Sequence, residues 1–328
     1  MWGSRIWKCD ASSRLSSWSL VPQPIQWLVI GIGDIAKRRV IPAIQSEPRS
    51  QLHSILTRDP AKARDYPDAH IYTDLDDALS NRAVDAVYVA TPVSLHAAQT
   101  IAALAKGKHV LCEKPAALDF ASAKRMADAT RASAGKLCGV AYYRRLFPKL
   151  IEARKRIESG AIGRPVLTEA NCHSWLPNTC RGWLLDPALA GAGPLYDVAC
   201  HRIDAINFLF GTPLRATGLT SNVLHATAVE DSATVLIDYE TGPRAIVDVR
   251  WNSHVDRDQF RIVGTDGEID LSPLSAGAQG NVHYPLVENF VSAILGHEAL
   301  ACPIEESLKT DRVLTAVRLN QPLESVSA

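Results

Sequence analysis

The stretch from Trp27 to Ala36 constrains the possible fold more than any other part of this sequence. Four apolar residues, 27–30, lead into Gly31, a second glycine follows at Gly33, and an alanine completes a G-x-G-x-x-A pattern. In a strand-turn-helix unit the first glycine permits a tight turn, the second lets a pyrophosphate approach the backbone, and the third small residue allows close packing. The positive end of the helix then faces the phosphates. The pattern is typical of a dinucleotide site, although a tight turn without a ligand also satisfies it.

Length and charge narrow the class of protein. The 328 residues are enough for two domains. Because 35 Lys and Arg residues balance 35 Asp and Glu residues, no overall field draws the chain to nucleic acid or to an anionic membrane. Seven cysteines without a C-x-x-C pair favour reduced thiols, and no apolar run approaches the roughly 18 to 20 residues of a membrane span. We therefore expect a soluble cytoplasmic protein with a small-molecule ligand, no nucleic-acid partner and no membrane insertion.

Residues 1–26 differ in character from the rest of the chain. They are rich in serine and tryptophan and contain one acidic residue, Asp10. A transit peptide has this composition, and so does an upstream stretch translated from a wrongly assigned start codon. We expect a poorly ordered extension that ends at Pro24, before the first strand.

From residue 27 to residue 143, short apolar runs alternate with helical stretches, which predicts a doubly wound parallel sheet. The predicted strands are Trp27–Ile30, Leu52–Leu56, Ala86–Ala90, His109–Cys112 and Cys138–Ala141. The predicted helices are Lys37–Gln45, Leu75–Leu79, Leu95–Ala105 and Ala121–Ala132. Ligands of such sheets bind at the carboxyl ends of the strands.

Residues 144–328 have the pattern of a second α/β domain. A helix is predicted at Lys149–Glu158, and the strands that follow are separated by glycine-containing turns. The predicted strands are Val166–Asn171, Ala216–Asn222, Ser232–Tyr239, Arg244–Trp251, Asp258–Val263 and Glu268–Leu271. They predict an open, mainly antiparallel sheet that forms a substrate wall and a homo-oligomer interface, as a dimer or tetramer.

The second predicted strand ends in Thr57, Arg58 and Asp59. An NAD-specific fold usually places an acidic residue here for the ribose 2'-hydroxyl, whereas a hydroxyl residue followed by arginine accommodates a 2'-phosphate. The pair Thr57 and Arg58 favours NADP. Alternatively, Arg58 is solvated and Asp59 binds NAD.

Two further strand ends carry polar residues. Thr91 and Pro92 end one strand, with His96 close behind, and a threonine there has the hydroxyl to bind a cofactor, although a Thr-Pro turn is also ordinary. The next strand ends in Glu113, Lys114 and Pro115. Because proline restricts the residue before it to extended conformations, Pro115 helps to direct the Lys114 side chain. A surface lysine is the alternative.

A glycine-led segment in the second half places Asp197 four residues before His201 on a predicted helix that ends at Gly211. Residues four apart share one helical face. A histidine can accept a hydroxyl proton while hydride leaves the adjacent carbon. The alternative is a solvated contact within the helix.

Together these motifs resemble the Gfo/Idh/MocA family of glucose-fructose oxidoreductases and inositol dehydrogenases. The resemblance extends over residues 27–320 and rests on the glycine turn, Ala90-Thr91-Pro92, the stretch from Gly107 to Pro115, and the helix from Asp197 to His201. It implies an N-terminal Rossmann domain, a C-terminal α/β domain with an open sheet, and a dehydrogenase of sugars, polyols or related alcohols that uses NADP or NAD. It also implies that Lys114, Asp197 and His201 are catalytic.

The resemblance further assigns residues to the ligands. Those expected to bind the cofactor are Gly31, Gly33, Asp34, Ile35, Thr57, Arg58, Thr91, Pro92, His96, Glu113 and Lys114. Those expected near the substrate are Lys114, Arg145, Trp183, Asp197 and His201.

Two other functions remain open at this point. The first is a non-catalytic NAD(P)-binding regulator of the same fold, which the intact lysine, aspartate and histidine set disfavours. The second is a metal site built from Cys172, His173, Cys180, Cys200 and His201. Their spacing matches no familiar zinc pattern, so we expect no metal.

Overall fold

The computed structural model describes residues 23–176, 182–240, 242–276 and 280–323. The predictions for residues 1–22 of the N-terminal extension, and for Cys180, lie outside these ranges. Two six-stranded sheets form the framework of the described chain. No helix within the described ranges is both long enough and apolar enough to cross a membrane.

The first sheet is fully parallel, with the strand order β3-β2-β1-β4-β5-β6. This order confirms the predicted Rossmann arrangement, with its reversal between β1 and β4. The strands are β1 (Ile25–Ile30), β2 (Ser50–Leu56), β3 (His70–Tyr72), β4 (Ala86–Val89), β5 (His109–Cys112) and β6 (Cys138–Val140). The helices on its faces are α1 (Ile41–Ser46), α2 (Leu75–Ser80), α3 (Val93–Ala105) and α4 (Phe120–Ala132).

Three local features differ from the prediction. Strand β1 begins at Ile25 rather than at residue 27, because Ile25 is buried and pairs with Ser50. Strand β3 was not predicted, since its three residues are too few for a periodic signal. The helix expected over 37–45 is divided into a π-helical segment, Ala36–Val40, followed by α1. Pro42 lacks the N–H that an α-helical ladder needs, and the Ile41 N–H bonds to the carbonyl of Ala36 instead.

The second sheet has the order β12-β11-β7-β10-β9-β8 and is mixed. The prediction of a mainly antiparallel sheet is confirmed, with one exception: β10 runs parallel to β7. The strands are β7 (Pro165–Trp175), β8 (Pro213–Ser221), β9 (Ser232–Tyr239), β10 (Arg244–Arg250), β11 (Asn252–Gly264) and β12 (Glu268–Asp270). The helices of this half are α5 (Pro148–Glu158), α6 (Pro187–Ala190), α7 (Cys200–Phe210), α8 (Tyr284–Ile294) and α9 (Ile304–Leu319).

Helix α9 connects the two halves and is buried although its sequence is polar. Thr310, Asp311 and Thr315 are all less than a tenth exposed. The Thr315 hydroxyl accepts a hydrogen bond from the first backbone N–H of α4, and the Thr310 hydroxyl accepts one from Asn207 on α7. Because these polar groups face partners on both sides, the helix has no apolar stripe from which it could have been predicted.

A buried ion pair ties the chain after β6 to α7. Arg145 lies in a 3₁₀ turn, Tyr143–Leu146, and its guanidinium donates three hydrogen bonds to Asp204 at 2.7 to 3.2 Å. Both side chains are nearly inaccessible to solvent, and Glu306 of α9 lies 3.7 Å from the same guanidinium. Burial disfavours the Arg145 cation, but Asp204 outweighs it and keeps the pKa of Arg145 above its ordinary value.

Arg145→Met is expected to lower the free energy of unfolding by about 3–5 kcal/mol, because it leaves the Asp204 carboxylate buried without its cation. Arg144→Met is the matched control, since Nε and Nη1 of the Arg144 guanidinium have no hydrogen-bond partner among the described residues. We expect that variant to be at least as stable as the original protein, because it removes buried N–H groups that have no acceptor. Urea unfolding followed by tryptophan fluorescence measures both, and equal losses would contradict the structural role of Arg145.

Candidate active site

A cavity of ≈1660 Å³ lies between the two sheets. It begins at the turn after β1, passes the ends of β2 and β4, and continues past the end of β5 to α7. Its opposite wall comes from the second half, at β7 and β11. The cavity therefore lies at the carboxyl ends of the parallel strands, where such sheets bind ligands.

Gly31 and Gly33 shape the first end of the cavity for different reasons. Gly31 has a φ of +90°, and an added Cβ would lie 2.9 Å from the Ala90 carbonyl oxygen. Only glycine tolerates that combination. At Gly33 an added Cβ would meet nothing within 4 Å, so the fold itself does not require glycine there. Open space above a backbone at the start of a helix fits a ligand phosphate.

At the end of β2, Asp59 has a structural task. Its side chain accepts a hydrogen bond from the Ala61 N–H at 3.1 Å and caps the 3₁₀ turn Pro60–Ala63. The Thr57 hydroxyl is 3.2 Å from the Asp59 backbone N–H. Arg58 is exposed at the cavity edge, where Lys62 also lies. This end of the cavity thus carries two exposed cations, Arg58 and Lys62.

His96 ties two cavity loops together. Its Nδ1 lies 3.0 Å from the Pro115 carbonyl oxygen, and its Nε2 lies 2.9 Å from the Thr91 carbonyl oxygen. Burial lowers the pKa of His96, and a neutral imidazole can donate through only one of its nitrogens. The Thr91 hydroxyl donates to Gln99 at 2.7 Å. His96 therefore lines the cavity and lies between the loops that follow β4 and β5, with one N–H to donate to either of the two carbonyls.

Glu113 is held as a buried carboxylate next to Lys114. Its Oε1 accepts from the Tyr88 hydroxyl at 2.8 Å and lies 3.4 Å from His283 Nε2, and its Oε2 accepts from the Lys114 backbone N–H at 3.2 Å. Burial favours the neutral acid, but His283 and Lys114 outweigh it and lower the pKa of Glu113 to about 2. The carboxylate thereby fixes the backbone that carries Lys114.

Lys114 and Asp197 meet across the cavity. The Lys114 Nζ donates to the Asp197 carboxylate and to the Asp197 backbone carbonyl, both at 2.9 Å. Asp197 lies in a π-helical segment, Leu195–Ala199, that leads into α7. Burial disfavours the ammonium, but Asp197 outweighs burial and raises the pKa of Lys114 above its ordinary value. Lys114 is therefore a fixed cation at neutral pH.

His201 completes the group from the first full turn of α7. It is 7% exposed, and its ring lies 6.1 Å from the Tyr142 ring and 5.2 Å from the Tyr143 ring, centroid to centroid. Burial and then the charges of Arg144 and Lys114 lower the pKa of His201 well below its ordinary value. The imidazole is therefore neutral at pH 7 and can accept a proton.

The cavity brings together nearly all of the residues that the sequence singled out. Those in its lining are Gly31, Gly33, Asp34, Ile35, Thr57, Arg58, Thr91, Pro92, His96, Glu113, Lys114, Trp183, Asp197 and His201. Arg145 is outside the lining because Asp204 takes its guanidinium. A contact between Arg145 and substrate stays a prediction, as do the roles of the lining residues.

Several residues in or near the cavity escaped the sequence analysis. Arg144, Arg202 and His283 line the cavity, and His283 comes from a segment just before α8 that had no assigned role. Arg144 stands at the boundary between the two predicted domains, and nothing in the sequence distinguishes it from its neighbour Arg145. Asp311 on α9 is more remote: burial raises its pKa to about 7, and neither of its carboxyl oxygens has a hydrogen-bond partner among the described residues.

The described residues offer no set of ligands for the metal site that the sequence left open as an alternative function. Among the described residues, no group of three or more His, Cys, Asp or Glu side chains could hold a metal ion. His173 pairs with Asp248 at 2.7 Å, and the Cys200 thiol faces the backbone carbonyl of Asp197.

Comparisons with known proteins agree with this architecture. Residues 25–142 match the family described as the oxidoreductase family with an NAD-binding Rossmann fold, and residues 150–270 match the Gfo/Idh/MocA C-terminal domain. The chain is 30% identical over 249 residues to a 1,5-anhydro-D-fructose reductase of Ensifer adhaerens, covering 74% of each protein. It is 28% identical over 249 residues to D-xylose 1-dehydrogenase (NADP(+)) 2 of Haloferax volcanii, covering 75% of each.

A solved structure shows the same fold. The aldose-aldose oxidoreductase of Caulobacter crescentus, crystallised with glycerol, superposes with a TM-score of 0.82 at 24% identity, over 92% of this chain and all of the other. The fold and the site thus define an oxidoreductase with an NAD-binding Rossmann domain. The chain belongs to the Gfo/Idh/MocA family.

Gly33→Ala separates a ligand site from a plain turn. Since an added Cβ meets nothing within 4 Å, we expect the unfolding free energy to change by less than about 1 kcal/mol. The methyl group would occupy the space of the pyrophosphate, so nicotinamide-cofactor affinity should fall by at least about tenfold. Gly31→Ala, with its positive φ, should instead lose about 1–3 kcal/mol of stability. Unfolding curves and fluorescence titrations measure both, and unchanged cofactor affinity in Gly33→Ala would restore the plain-turn interpretation.

Proposed function

We propose that the protein is an NADP-preferring oxidoreductase that interconverts a hydroxyl and a carbonyl group on a sugar, polyol or related alcohol. The observation that carries the proposal is the meeting of Lys114, Asp197 and His201 in the same cavity as the glycine turn at Gly31. The names of the relatives support the substrate class, since they include a reductase of an anhydro-sugar and a dehydrogenase of xylose.

The residues that would hold the cofactor fit its parts. The turn from Gly31 to Ile35 would receive the pyrophosphate, Thr57 and Arg58 the adenosine ribose, and the loops at Thr91 and Glu113 the nicotinamide half. When bound, the cofactor supplies or accepts the hydride.

The chain's own residues manage the proton and the charge. In the oxidising direction the neutral His201 accepts the proton of the substrate hydroxyl. The Lys114 ammonium stabilises the negative charge that develops on the same oxygen. Asp197 holds that ammonium in place through the 2.9 Å hydrogen bond. In the reducing direction the protonated His201 returns the proton.

Lys114→Met and His201→Gln are each expected to lower kcat by about 10²–10⁴, the usual contribution of a placed acid or base. NADPH affinity should change by less than about threefold, because the Gly31 and Arg58 end of the cavity is untouched. The matched control is His297→Gln on the exposed turn after α8, which should retain full turnover. Steady-state kinetics and NADPH fluorescence titrations make the comparison. Full turnover in both site variants would remove the catalytic assignment.

The preference for NADP rests on the end of β2. Asp59, the residue with the chemistry to bind a ribose 2'-hydroxyl, is engaged with the Ala61 N–H as a turn cap. Arg58 and Lys62 provide positive charge at the same edge, and a guanidinium suits a phosphate. A relative named for NADP(+) supports the same choice.

Arg58→Met is expected to weaken NADPH binding by at least about tenfold and to leave NADH binding within about twofold, since only NADPH carries the 2'-phosphate. Arg64→Met, an exposed arginine after the same 3₁₀ turn and outside the cavity lining, is the matched control and should alter neither. Parallel fluorescence titrations give the four affinities. Equal loss for the two cofactors would show that Arg58 does not recognise the 2'-phosphate.

The proposal also includes the predicted domain organisation, location and oligomeric state. We take residues 27–143 as the cofactor domain and 144–328 as the substrate and oligomerisation domain of a cytoplasmic homo-oligomer. Leu219 and Leu236 support an interface on the second sheet, because they are 80% and 40% exposed on neighbouring strands. The regulator alternative has less support, since the relatives are named as reductases and dehydrogenases.

A further inference from the structure

Arg144 is a cation inside the cavity that the proposed chemistry does not use. It lines the cavity beside Lys114 and His201. Its Nε and Nη1 atoms are buried and have no hydrogen-bond partner among the described residues. The guanidinium carbon lies 5.0 Å from the centre of the Tyr143 ring. Stacking on an aromatic face directs a guanidinium without satisfying its N–H groups.

Two other cations of the cavity, Lys114 and Arg202, each have a carboxylate. The Lys114 Nζ forms an ion pair with Asp197 Oδ1 at 2.9 Å. Arg202 takes Asp258 at 2.6 Å, and the second oxygen of Asp258 accepts from the Ser275 N–H. The ion pairs of the described residues account for these cations and leave Arg144 outside. Arg144 is therefore a cation of the cavity that no carboxylate of the described residues pairs with.

An arginine in this position is costly unless something pairs with it. A buried N–H group without an acceptor costs about 1–3 kcal/mol. The Arg144 charge is also the largest electrostatic influence on His201, whose pKa it lowers. An anion beside Arg144 would satisfy the N–H groups and offset this charge.

The cofactor pyrophosphate lies too far away to be this anion. Its expected place is the turn after β1, whereas Arg144 follows β6, and β4 and β5 lie between them in the sheet. Neighbouring strands are about 4.8 Å apart, so the three spacings amount to about 14 Å. Arg144 instead faces the part of the cavity where His201 and Lys114 would hold the reacting hydroxyl.

Building on the proposed function, we propose that the preferred substrate carries an anionic substituent, a carboxylate or a phosphate, which Arg144 binds. The substrate class is then a sugar acid or a sugar phosphate rather than a neutral sugar. Arg144 selects the substrate and takes no part in the proton transfer, which stays with His201.

The test compares matched compounds that differ only in the anionic group. The full-length protein with saturating NADP⁺ is given D-galactose, D-galacturonate and D-galactose 6-phosphate, and the three corresponding gluco compounds. We measure kcat/KM, and calorimetric dissociation constants in parallel. In at least one of the two sugar series, the acid or the phosphate should have a higher kcat/KM and a tighter dissociation constant than the neutral sugar, by about tenfold or more. The favoured anion identifies the substituent.

Substitutions at Arg144 then test whether this residue causes the preference for the anionic sugar. Arg144→Met should weaken binding of the favoured anionic sugar by about 10- to 100-fold. The affinity for the neutral sugar should stay within about threefold of its original value. Arg144→Lys should keep most of the preference, because it retains the charge. Arg131→Met, on the exposed face of α4, controls for the loss of one positive charge and should behave like the original protein.

The outcomes separate this inference from the proposed function. The inference would be overturned if the original protein bound neutral and anionic sugars equally. It would also be overturned if Arg144→Met lost the same affinity for both kinds of sugar, or if that variant lost affinity for NADPH. Turnover of neutral sugars in those cases leaves the proposed function standing. If anions bind through Arg144 and no compound of the panel is turned over, the substrate pocket is supported and the proposed activity on these sugars fails.

Discussion

The ion pair between Lys114 and Asp197 is the contact on which the active site depends. Its two members come from different halves of the chain, one from the end of β5 and the other from the segment before α7. Each charge alone in this cavity would suffer a large loss of hydration. Because each stabilises the other, the ammonium stays protonated and fixed at the point where the two sheets face each other. The position of the Lys114 ammonium thus depends on contacts from both halves of the chain.

The contacts beneath that pair set its register. Glu113 accepts a hydrogen bond from the Lys114 backbone N–H, and His96 lies between the loops after β4 and β5. On the other side, Arg145 and Asp204 fasten the chain after β6 to α7. Most of these partners are buried charges or carbonyls, whose bonds are costly to break. They place the functional groups while taking no part in the chemistry.

The sequence predicted the parts of this arrangement that are local. Glycines in a strand-turn-helix unit and polar residues at strand ends identify the cavity rim, because parallel strands place their carboxyl ends side by side. The fold class, most strands and the cavity lining could therefore be predicted. The helical segment after Gly31 was assigned the wrong type, since Pro42 alters its hydrogen bonds. Helix α9 gave no signal, because its buried Thr310 and Thr315 find their partners only in the folded chain.

Arg144 and Arg145 show where sequence reasoning ends. The two residues are adjacent and chemically identical, yet folding gives one of them three hydrogen bonds to Asp204 and leaves the other facing the cavity. In a 3₁₀ turn, neighbouring side chains point about 120° apart, so one faces the interior and the other faces the ligand. Arg145, which the resemblance assigned to the substrate, is the arginine whose guanidinium is paired with Asp204. Its neighbour carries the charge for which the described chain provides no carboxylate, and a ligand with a negative charge is the partner that such a site selects.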